Sequence, residues 1–111
     1  MAQKPNRRLD LQDKLQEVIG IRSDGKQNVY FQPPESIKLN YPCIIYQRSR
    51  GVTEHANNMP YRYSQSYDVT LITKDPDSGL VEKLAMALPG IEHSRFATIN
   101  NLNHDYFALY Y

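Results

Sequence analysis

Leu9, Leu11, Leu15, Val18 and Ile19 fall at mixed helical steps with Asp10, Asp13, Lys14 and Glu17 between them. That spacing predicts an amphipathic helix of about three turns. Asn6 stands where a cap belongs and Gly20 where a helix stops. Ser23-Asp24-Gly25 is turn chemistry, and the β-branched and aromatic Asn28-Val29-Tyr30-Phe31 reads as a short strand that Pro33-Pro34 breaks.

Residues 41–48 are β-rich, and Pro42, which lacks a donor, fits an edge or the first residues of a strand; Asn40 before it is a turn residue. In residues 61–73 the period is two. Tyr61, Tyr63, Tyr67, Val69 and Leu71 share one face; Arg62, Ser64, Ser66, Asp68 and Thr70 share the other. Residues 51–60 lie between these strands, too many for a two-residue turn and too polar for a buried segment, so they are expected to form the tip of a long β-hairpin. Both faces near that tip are polar, with Gln47, Arg48, Ser49 and Arg50 set against Tyr61, Arg62, Tyr63 and Ser64. The outer hairpin therefore has no core of its own and is expected to project and rest on a neighbour.

Asp75-Pro76-Asp77-Ser78 carries a helix-start signature, followed by the apolar stripe Leu80, Val81, Leu84, Ala85 and Leu88 and the stop Pro89-Gly90. Two last strands are expected over residues 95–100 and 104–111, joined by Asn101-Leu102-Asn103. The order α-β-β-β-α-β-β predicts an α+β fold: a mainly antiparallel sheet, two helices packed on it, and a projecting hairpin.

Composition sets bounds on this picture. The chain has 111 residues, room for a single domain over 1–111, with no internal repeat or linker. Its mean hydropathy is -0.63, so help from neighbouring subunits is expected. Thirteen basic against twelve acidic residues leave a charge of +1 and no global field to recruit nucleic acid or an anionic membrane. No run approaches the length of a membrane span, and residues 1–11 lack the apolar stretch of a secretory signal. The single cysteine fits a reducing cytoplasm. Nine tyrosines and no tryptophan put a hydroxyl on most of the aromatic surface, which suits half-buried strands and interfaces.

Candidate chemistry is sparse. His55, His93 and His104 stand at no metal-ligand spacing, and His104-Asp105, adjacent in a strand, point to opposite faces and make a poor acid/base pair. Cys43 beside Ile44 and Ile45 reads as a buried thiol. There is no phosphate-cradling glycine loop and no nucleophile elbow, and a capped helix start accounts for Asp75-Pro76-Asp77 better than a cation site does. No enzyme activity, cofactor or metal is expected. Arg48, Arg50 and Arg62, interleaved with Tyr46, Tyr61 and Tyr63, offer one alternative, a basic and aromatic platform for single-stranded nucleic acid; a solvated hairpin with cross-strand pairs is preferred.

Several segments together resemble the small neck and tail proteins of long-tailed bacteriophages, nearest to the tail terminator and tail-completion group. They are Tyr41-Pro42-Cys43-Ile44-Ile45-Tyr46, Asn58-Met59-Pro60-Tyr61-Arg62, Tyr67-Asp68-Val69-Thr70, Asp75-Pro76-Asp77-Ser78 and Asn101-Leu102-Asn103-His104-Asp105-Tyr106-Phe107. The resemblance implies a non-enzymatic virion subunit, assembled in the host cytoplasm as a hexameric ring. Such a ring caps the finished tail tube and offers its opposite face to the head connector, and DNA passes through its channel. A cyclic, heterologous interface would then use Tyr61, Tyr63, Tyr67 and the hairpin arginines Arg48, Arg50 and Arg62, because tyrosine and arginine are favoured interface anchors. A near-neutral chain also suits a channel in which DNA slides.

Overall fold

Helical and strand periods segregate cleanly along the chain, and the computed structural model describes residues 7–20, 25, 28–57 and 59–111, with backbone alone at 52, 54 and 60–64. They form α1 (Arg7–Ile19), β1 (Val29–Phe31), β2 (Cys43–Ala56), β3 (Met59–Thr73), α2 (Leu80–Ala85), β4 (Ile91–Ile99) and β5 (Leu102–Tyr110). The expected order and the α+β class are what the chain adopts. The proposed cap Asn6 and the turn residues Ser23 and Asp24 lie outside the described residues.

The five strands form one sheet in the order β1-β2-β3-β5-β4, antiparallel except for the β1–β2 pair. Both helices lie on one face. Leu11, Leu15 and Val18 of α1 and Leu84 of α2 pack with Ile44, Tyr46, Tyr67, Val69, Leu71, Phe107 and Leu109 into the main core. Burying such side chains contributes about 1.5–3 kcal/mol each. A smaller cluster of Tyr30, Cys43 and Ile72 on the opposite face is backed by Leu39 and Tyr41. The connection from β1 to β2 folds over it, with Asn40 donating from backbone and side chain to the Tyr30 hydroxyl, each at 3.1 Å.

Polar contacts fix α1 to the sheet. Tyr46 Oη, fully buried, donates to Gln12 Oε1 at 2.6 Å and accepts from Arg8 Nη1 at 3.3 Å. Gln16 Nε2 donates to the Gly20 carbonyl and to Asn28 Oδ1, tying the helix end to the start of β1. Gly20 ends α1 at φ +82°, a conformation that favours glycine.

Three boundaries differ from the sequence reading, each for a local reason. Residues 51–56 and 59–60 are strand rather than loop: Ala56 pairs with Met59, leaving two residues between them. Asn57 has φ +52°, a left-handed conformation that asparagine tolerates, which lets a tight turn close a segment whose polar side chains resemble a loop. Asp75-Pro76-Asp77-Ser78 precedes α2 rather than opening it. The Asp75 carboxylate accepts from Asp77 N at 3.0 Å and Ser78 Oγ from Leu80 N at 3.2 Å, so these side chains build a turn and the helix starts at Leu80. The last turn is Asn100-Asn101 rather than residues 101–103, with φ +52° and +63°, so Ile99 pairs with Leu102 and β4 reaches back to Ile91.

Candidate assembly surface

Beyond the body of the sheet, β2 and β3 lose their other strand neighbours among the described residues. β1 pairs with β2 only from Val29↔Ile44 to Phe31↔Tyr46, and β5 pairs with β3 only from Ser66 to Thr73. Tyr111 N still donates to the Gln65 carbonyl at 3.0 Å, so residues 51–56 and 59–64 continue as a two-stranded arm, and the molecule extends 51 Å along its long axis against 28 Å across. The arm begins at a bulge. Arg48 pairs with Tyr67 and Gly51 with Gln65, so Ser49 and Arg50 share one position opposite Ser66. An extra residue of this kind bends and twists a strand pair away from the parent sheet.

The residues expected at an interface separate into three groups. Arg48 and Arg50 are exposed at the base of the arm, and Arg48 Nη2 donates to Gln65 Oε1 at 3.1 Å while its backbone N–H donates to Gln32 Oε1. Tyr61, Arg62 and Tyr63 lie on β3 within the arm, and their side chains lie outside the described residues. Tyr67 departs from the expectation. It is 5% exposed, its ring stands 6.0 Å from that of Tyr46, and it belongs to the main core. It alternates with Val69 and Leu71 as the period of two implies, but the face they share is the one the helices cover. Tyr46, counted in the basic and aromatic platform, is buried for the same reason. Along the arm itself Thr53, His55, Ala56 and Met59 are exposed.

Elsewhere the sheet holds one polar pair that local spacing does not reveal. His93 Nε2 lies 2.9 Å from Asp105 Oδ1, and the His93 ring meets Phe107 edge-on. The sequence signal is the Asn100-Asn101 turn, which folds β4 onto β5 and makes His93 and Asp105 diagonal neighbours. His104 and Asp105 do fall on opposite faces. Asp105 is buried, whereas the His104 ring stacks on Tyr106, which also carries the Arg95 guanidinium 4.4 Å from its centroid. The pairing anchors β4 to β5 by side chains on both faces.

Cys43 is fully buried, and burial pushes its thiol up to about 12, which keeps it protonated and unreactive. Among the described residues no group of three or more metal-ligating side chains converges, and no helix is long and apolar enough to cross a membrane. Neither a protein-family model nor a curated protein matches the chain.

Proposed function

We propose that the chain is a structural subunit of a bacteriophage neck, a ring of six copies that caps the finished tail tube and joins it to the head connector. DNA passes through the channel, and the subunit carries no chemistry of its own. Its place is the virion, after assembly in the host cytoplasm. The resemblance across residues 41–46, 58–62, 67–70, 75–78 and 101–107 motivates this reading.

The observation that supports it is the arm. A lone two-stranded hairpin is marginally stable in water, yet residues 51–56 and 59–64 extend past every other strand of the sheet. Such an element is stabilised by lying against another chain, with Arg48 and Arg50 at its base and Tyr61, Arg62 and Tyr63 along it as contacts. Because arm and body are different surfaces, the arm of one copy can rest on the body of the next, and such a head-to-tail contact closes a ring when the rotation per subunit divides a full turn. The alternative role, binding single-stranded nucleic acid, draws less support once Tyr46 is in the core, since stacking platforms need open rings.

Light scattering on the full chain across concentration, with negative-stain images of the same sample, tests the proposal. Closed rings of about six chains are the expected result. A monomer at every concentration, with and without tail tubes, would overturn it; tight, salt-sensitive binding of single strands by that monomer would establish the alternative.

A further inference from the structure

Among the described residues two edges of the sheet are open, on opposite sides. β4 ends the order β1-β2-β3-β5-β4, so its outer edge faces no strand of the sheet. On the far side, β1 with Gln32 reaches only as far as Tyr46 and Arg48 of β2, which leaves residues 51–56 beyond that cover.

The β4 edge has the character of a receiving strand. After Ile91 it leaves the helices, and Phe96 and Ile99 are 54% and 47% exposed. Residues 95–99 run without proline, acid or register shift, and an exposed edge of this kind is a template for pairing. The Asn100-Asn101 turn sets which groups face outward. In a two-residue hairpin the flanking pair, Ile99 with Leu102, exchanges hydrogen bonds, and bonded and non-bonded pairs then alternate. Arg95 and Ala97 consequently bond inward to β5, and Phe96 and Thr98 present their N–H and C=O to the open edge.

The arm is the matching strand. Residues 51–56 contain no proline, whereas Pro60 deprives the opposite edge of the arm of a donor. In sequence the arm segment carries one acid, Glu54, and residues 95–99 one base, Arg95. The strand directions agree as well: β2 and β5 run one way, β3 and β4 the other. A copy that continues the sheet past β4 with the same polarity therefore brings its own β2 alongside antiparallel.

We infer that residues 51–56 of one copy add to the open edge of β4 at residues 95–99 of the next, antiparallel, continuing the sheet from subunit to subunit. This deepens the ring reading and rests on it. The contact uses opposite edges, so every copy both gives and receives a strand, and the arm gains the third strand it lacks.

Mixed single-cysteine variants test the pairing in the full chain. Thr53→Cys protein is mixed with Phe96→Cys, Ala97→Cys or Thr98→Cys protein, oxidised, and analysed on non-reducing gels with light scattering of the same sample. Cys43, at 0% exposure, does not compete, and Ser36→Cys, on an exposed loop, gives the background. Directly opposed strand residues are within disulfide reach. The expected result is a covalent mixed dimer at one of the three positions, well above background. Moving the arm cysteine to Gly51 shifts the best partner two residues towards Ile99, as antiparallel pairing requires. Thr98→Pro removes one outward donor while sparing the β5 ladder, and is expected to raise the concentration needed for assembly about tenfold with the fold retained.

Rings without mixed dimers would overturn the pairing and leave the ring reading standing. Mixed dimers within open filaments would support the pairing and overturn the ring. Cross-links only between two β4 edges would replace it with a two-fold contact, and monomers without cross-links would overturn both.

Discussion

His93 and Asp105, twelve residues apart, meet across the β4–β5 hairpin with Nε2 2.9 Å from Oδ1, joining a half-exposed ring to a largely buried carboxylate. Buried carboxylates without donors are costly, so the ring serves the fold as the partner of Asp105. His93→Ala is expected to destabilise the chain by about 1–3 kcal/mol, and His93→Gln, which keeps a donor, by less. Urea unfolding at neutral pH measures both; equal, negligible losses would show that the pair does not hold the hairpin.

Tyr67 separates core from interface. Its ring packs on Tyr46 beneath α1, so Tyr67→Ala is expected to cost about 3–5 kcal/mol of stability. An interface tyrosine would instead lower the mass of the assembly and leave the unfolding of the subunit unchanged. Denaturation and light scattering on the same variant distinguish the two.

The Asn100-Asn101 turn requires left-handed backbone at both positions. Asn101→Gly is expected to be neutral or mildly stabilising, and Asn101→Val to cost about 1–2 kcal/mol, because a β-branched residue resists that conformation. Chemical denaturation of the pair of variants gives the comparison, and a valine variant as stable as the parent would contradict it.

Cys43 makes stability fall with alkali. Burial raises its thiol from 9.0 to about 12, so above pH 9 the unfolded chain releases a proton that the folded chain keeps. The contribution is complete below pH 9 and declines by about 1.4 kcal/mol per pH unit until the folded thiol ionises. Tyr46 and Tyr111 are also raised, both first by burial, and add to the decline above pH 10. Near pH 9 the slope is mostly that of Cys43, because the unfolded tyrosines ionise a unit higher, and Cys43→Ala should reduce it there in urea titrations; an unchanged slope at pH 9 would reject the assignment.

Removing the arm tests its independence from the core. Replacing residues 51–63 with a short turn deletes none of the core side chains, so cooperative unfolding is expected to survive while assembly is lost. Rings from the shortened chain would show that contacts elsewhere hold the subunits together.

The kinds and order of the elements are legible in the amino-acid pattern alone. The helical spacing of Leu11, Leu15 and Val18 and the alternation of Tyr67, Val69 and Leu71 are local and periodic, and each repeats the geometry of the backbone it adopts. It also announced a hairpin with no core, because both strands turn polar together near Arg48 and Arg62. Tertiary structure alone decided which face of an alternating strand is covered: period two names two faces without saying that α1 and α2 lie on the side of Tyr46 and Tyr67. It decided as well where strands end, since the two-residue turns at Asn57 and Asn100 rest on a backbone conformation that asparagine permits without demanding. The partner of Asp105 and the two open edges are facts of strand order and register, set by pairing between residues far apart in the chain.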